Sequence, residues 1–240
     1  MIRIALAVAV LAAAQGCATG YVFLSADERR ESERALLLEA DRFLRLSYYV
    51  TPFFGDDSKR LLSQYPPEEL KMVLQPNGDP VIPGPTQKIV PAGKPAKILR
   101  IEFPTSWAIA SRVVYTPRFQ PWLFVAVQGE PREFELVIPL RPNLSTVEDV
   151  QAEVDRYLSR KDPLPFLATL SEGMRTSIRN KEARLDMPLT ALEMAWGYPQ
   201  RRHITFDEEG GRTETWEYND GQRQAVVAED RVLKLVPPPR

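Results

Sequence analysis

Apolar residues recur at helical spacing near the start of the chain and alternate with charges through its middle. Leu36, Leu37, Ala40, Phe43 and Leu44 follow a helical period, while Arg29, Arg30, Glu33, Arg34, Glu39 and Arg42 fill the other face. Ser25 with Glu28 makes a capping box, and Asp27 and Glu28 are placed favourably in the first turn. Further helical patches are predicted over 58–64 and over 67–74, where Pro67 suits a first turn. Residues 17–74 thus read as an N-terminal helical region.

From Gln75 to Pro95 the pattern stops. Six prolines and three glycines in that stretch exclude a regular helix and leave room only for short extended pieces such as 88–90. It reads as a Pro/Gly-rich linker or long ordered loop over 75–95. Four extended segments follow at 98–103, 112–116, 122–127 and 133–138, with Gln128-Gly129-Glu130-Pro131 as a hairpin connection between the last two. In Ile98-Leu99-Arg100-Ile101-Glu102-Phe103 charges alternate with apolar residues, which predicts a sheet with one wet face. Ser145 with Glu148 opens a helix that carries Val147, Val150, Val154 and Leu158. Another helix is predicted between 164 and 180, starting near Asp162-Pro163. Residues 96–181 are therefore expected to form an antiparallel sheet with helices.

The last part, 182–240, has its own rhythm. A short helix within 187–199 is stopped by Gly197 and Pro199. Three strands then fit at 202–206, 213–218 and 224–227, the last continuing through 232–235. Asp207-Glu208-Glu209-Gly210-Gly211 and Asn219-Asp220-Gly221 supply the turns. The predicted class is α+β: helices packed on an antiparallel sheet, ending in a helix-plus-three-stranded-meander module. The tail Pro237-Pro238-Pro239-Arg240 reads as extended and exposed.

That final segment, with Met187, Leu192, Trp196, Gly197, Pro199, Trp216 and Tyr218 at the matching places, resembles the SmpA/OmlA (BamE-like) outer-membrane lipoprotein module. It departs from that pattern at Asp186, where the family has Gly, and at Pro188, where it has Thr. The resemblance covers under a third of the chain. It implies a periplasmic binding or scaffolding part, associated in the family with assembly of outer-membrane β-barrels. Taken one by one, the same residues read as structural: a buried Trp196, a helix end at Gly197 and Pro199, and Trp216 and Tyr218 on one strand face.

The N-terminus adds a location. After Arg3, Ile4 to Ala14 is apolar but too short to span a bilayer, which needs roughly twenty residues. The run Leu11-Ala12-Ala13-Ala14-Gln15-Gly16-Cys17 resembles the lipobox of bacterial lipoproteins, with residues 1–16 as signal peptide and Cys17 as the lipidated first residue. Acyl chains on Cys17 would anchor the protein to its membrane without a transmembrane helix. Ala18, where inner-membrane retention tends to use Asp, favours the outer membrane, facing the periplasm.

Charge and chemistry narrow the functions. Cys17 is the one cysteine, so no internal disulfide exists. Removing residues 1–16 takes away only Arg3, so 31 basic residues become 30 against 32 acidic ones, a net charge of −2. Such a balance gives no basic field for nucleic acid. His203 is the single histidine, which excludes a His/Cys zinc site, and no Gly-rich phosphate loop or Gly-x-Ser-x-Gly elbow appears. No catalytic, metal or cofactor-binding residues are assigned. The reading is a non-enzymatic, lipid-anchored envelope protein with an envelope protein as partner. The alternative is a periplasmic ligand-binding or enzyme-inhibitor domain, for which exposed Trp107, Tyr115 and Trp122 would line an apolar pocket. A hydrolase without histidine would instead show convergent buried ionisable groups in one cleft.

Overall fold

The computed structural model describes residues 24–206 and 211–236, so Cys17, the turn at 207–210 and the tail 237–240 lie outside the described residues. Helix α1 (Ala26–Leu38) opens on the Ser25/Glu28 capping box. It ends at Leu38, short of Phe43 and Leu44. Those two lie in strand β1 (Asp41–Leu44), which pairs antiparallel with β5 (Pro95–Glu102). β2 (Tyr48–Phe53) and β3 (Asp56–Ser63) form a hairpin turned by Phe54 and Gly55, both at positive φ. The helical readings of 58–64 and 67–74 are corrected here. Leu61 and Leu62 bury on opposite faces of β3, which a strand permits and a surface helix does not. Pro67–Glu69 forms only a 3₁₀ turn.

The stretch 75–95 carries the expected extended piece at 88–90. β4 (Lys88–Val90) pairs with β2 at the edge of the sheet, as its prolines require, and Ala92 is buried in the C-terminal core. Next come β5, α2 (Ser106–Ser111), β6 (Trp122–Val127) and β7 (Glu135–Pro139). The expected strand at 112–116 is absent, because the buried Arg112 side chain pulls the chain into a closed loop. α3 (Val147–Tyr157) is capped by Thr146 with Asp149, one residue later than the sequence reading, and β8 (Leu158–Ser159) pairs with β1. The predicted helix over 164–180 is two: α4 (Leu164–Thr169) and α5 (Glu172–Arg179), the second restarted by the Ser171 cap.

The eight strands form one sheet in the order β4-β2-β3-β7-β6-β5-β1-β8. It is mixed rather than antiparallel. Two antiparallel units, β4-β2-β3 and β7-β6-β5-β1-β8, join along β3 and β7, which run parallel. One face packs against α1 and α3 through Leu36, Val150, Val154, Ile98, Val125 and Ile138. Phe53, Leu61, Trp122, Phe124 and Val137 face the other way, covered by Leu70, Met72, Val73 and Val81. β6 is therefore apolar at every position, as a strand buried on both sides must be.

The C-terminal part holds a core of its own. α6 (Leu189–Trp196) packs on β10 (Arg212–Tyr218), β11 (Arg223–Ala228) and β12 (Arg231–Val236), with β9 (Arg201–Phe206) exposed along its whole length at the sheet edge. This meander has four strands, not three. Glu229 and Asp230, both at positive φ, turn the chain between β11 and β12 as a primed hairpin turn does.

Candidate functional site

Part of the predicted wet face of the sheet is concave. A cavity of about 1000 Å³ opens between β1, β5, β6 and the β6–β7 hairpin. A bulge creates it. Pairing between β5 and β6 shifts between Ile98 and Arg100, so Ile98 and Ile101 both reach the helix-covered core although three residues apart. Leu99 and Arg100 are consequently both turned to the opposite face. Leu99 lines the cavity with Phe43, Ala126 and Phe134.

Charges at the cavity are largely engaged. Arg100 lies 3.5 Å over the Phe124 ring and 2.6 Å from Glu135. Glu130 is nearly enclosed and pairs with both Lys88 and Lys94, the latter at 3.1 Å. Desolvation pushes the Glu130 carboxyl up, but the two ammonium groups outweigh it and hold it below the usual carboxylate range. Lys97 and Arg132, on the lining, are the exposed cations. An apolar floor with a few polar groups at its edge suits binding of an extended peptide or a small amphipathic molecule.

A second cluster of perturbed groups sits where the two sheets meet. Lys181 is buried; its Nζ donates to the carbonyls of Ser47 and Ala195, each at 2.7 Å, and lies 4.9 Å from the Tyr49 ring. Burial first, then the neighbouring Arg223 charge, drive its pKa well below the ordinary lysine value, against Glu69. Arg223 bonds Glu69 at 3.0 Å and stacks over Trp196 at 4.5 Å and Tyr218 at 5.1 Å. Around them, Ser47 N–H donates to Met194, the Ser47 hydroxyl donates to Ile178, and Tyr198 N–H donates to Gln64. These groups are used in holding the seam.

The signature residues of the C-terminal part are brought together as its core. Met187, Leu192, Trp216 and Tyr218 are fully buried, and Trp196 nearly so. The Trp196 and Tyr218 rings meet edge to face at 5.2 Å, and the Tyr218 hydroxyl donates to the Gly197 carbonyl at 3.3 Å. Gly197 ends α6 at φ 84° with Gln64 against it, and Pro199 is half buried. His203 is exposed on β9, 3.2 Å from Glu217. Of the three aromatics expected around a pocket, Trp122 is buried, Trp107 lies on α2 and Tyr115 on the loop after it, both outside the cavity. Sequence reasoning missed the cavity residues. The one signal, the two adjacent outward residues Leu99 and Arg100, needs the β5–β6 register to be seen.

Among the described residues no helix is long and apolar enough to cross a membrane, and no group of three or more His, Cys, Asp or Glu is placed to hold a metal ion. Compared with known protein families, characterised proteins and solved structures, the chain matches none.

Proposed function

We propose that this chain is a lipid-anchored envelope protein that acts by binding, with the cavity beside β5 as its recognition site. The single observation that carries binding as the mode of action is that concavity: an apolar floor of Phe43, Leu99, Ala126 and Phe134 under the open sheet face. Of its carboxylates, Glu130 and Glu135 are each neutralised by basic neighbours while Asp41 stands exposed at the edge, an arrangement that suits recognition better than proton transfer. The run ending at Cys17 supplies the anchor, and the likeness to the BamE-like module supports a scaffolding role in outer-membrane assembly or maintenance. The signature residues of that module lie in its core, so they support the fold of the module and not its contact surface.

Filling the cavity tests the reading. Ala126 lies on the cavity side of β6, opposite Lys97. Ala126→Trp should abolish capture of the envelope component that the wild type retains, while the unfolding free energy stays within about 1 kcal/mol of wild type. Equal capture by both proteins would sink the cavity as the site.

A further inference from the structure

Between residues 103 and 129 the chain carries no carboxylate, and Arg112 and Arg118 are its only charges. Five large apolar side chains are exposed within it: Trp107 (82 %), Val113, Val114 (62 %), Tyr115 (51 %) and Phe119. They project from a firmly built β5–β6 connection, Trp107 from α2 and the others from the loop that follows it. Arg112 is buried beneath it, with Nε 2.8 Å from Glu102 and Nη1 donating to the carbonyls of Arg118 and Gln120 at 2.6 and 2.8 Å. The guanidinium also stacks over Trp122 at 3.8 Å, whose indole N–H donates to the Pro117 carbonyl at 3.0 Å. Both ends of the loop are thus tied to β5 and β6, and the apolar tip is displayed at little entropic cost.

We propose that this loop docks onto an anionic membrane surface, inserting Trp107, Val114 and Tyr115 at the headgroup boundary with Arg118 at the phosphates. Trp and Tyr favour that boundary because each ring has an apolar body and a polar edge. The absence of carboxylates removes repulsion from anionic headgroups, and Arg118 makes no ion pair among the described residues. The inference extends the envelope reading, yet it is tested without the lipid anchor.

The chain from Ala18 onward keeps every described residue and lacks both the apolar leader and the acylated cysteine. It is sedimented with phosphatidylcholine vesicles with and without phosphatidylglycerol, and tryptophan emission is followed. Trp122, Trp196 and Trp216 are buried, so a blue shift on binding reports Trp107. Binding to the anionic vesicles is expected, with the blue shift. Trp107→Ala with Tyr115→Ala should weaken it at least about tenfold. Arg118→Glu should remove the preference for phosphatidylglycerol. Ile204→Ala with Phe206→Ala, exposed on β9, should bind as wild type. Failure to sediment with either vesicle overturns the proposal, as does a Trp107/Tyr115 variant that binds as wild type. A crosslinker at position 107 that captures an envelope protein and no lipid overturns it too. None of these outcomes bears on Cys17, whose acylation is read separately by mass.

Discussion

Single residues fix the seam between the two sheets. Lys181 follows α5 at φ 58°, where its N–H bonds to Ile178 and the N–H of Glu182 to Ser177, a helix stop that usually takes glycine. Lysine stands there because its side chain bridges Ser47 and Ala195. A lysine whose folded pKa is depressed binds fewer protons when folded than when unfolded, so its linkage contribution rises with pH towards its unfolded value. Wild type should therefore gain stability relative to Lys181→Met between about pH 8 and pH 10 in urea titrations; a constant difference would contradict this. At Gly197 a Cβ would meet Gln64 at 2.7 Å in a left-handed backbone. Gly197→Ala should cost about 2 kcal/mol and lower the melting temperature by about 5 °C. Gly197 and Pro199 were legible in the sequence as a helix stop. Lys181 was not, because nothing local distinguishes it from a solvated lysine.

Elements were legible wherever local chemistry and tertiary pairing agree. The Ser25 cap, the β6 run Trp122–Val127 and the hairpin after it are examples. They failed where pairing overrides propensity. Ser58-Lys59-Arg60-Leu61-Leu62 suits a helix by composition, yet β2 and β7 flank it and draw it into the sheet. Val113-Val114-Tyr115 suits a strand, yet Arg112 closes it into a loop. Two element-scale outcomes are expected. Thr146 accepts from Asp149 N–H at the start of α3, so Thr146→Ala should cost about 1 kcal/mol in denaturant unfolding. On α5, hydrogen bonds from Arg179 and then Arg175 hold the Glu172 carboxyl down at about 2. A depressed carboxylate stabilises above its unfolded value and loses that contribution as pH falls through its folded one. The unfolding midpoint should thus drop more steeply below about pH 4.5 in wild type than in Glu172→Gln.

The whole molecule joins an eight-stranded mixed sheet to a four-stranded meander through a polar seam and leaves two features open to solvent. One is the cavity at the β5 bulge; the other is the carboxylate-free loop after β5. The α+β class could be read from the sequence, but strand order could not, since it depends on β3 meeting β7 across some seventy residues of chain. The cavity was hidden for the same reason. Its lining comes from three strands and a hairpin whose register no local pattern encodes. In the proposed reading both features are tied to an envelope through lipidation of Cys17, and that modification is its central claim. The direct measurement is the intact mass of the protein extracted from its native membranes, beside Cys17→Ser. The account predicts loss of residues 1–16 and added acyl mass on Cys17, with the variant unacylated and released from the membrane. An unmodified Cys17 in a protein cut elsewhere, or not cut at all, would contradict it.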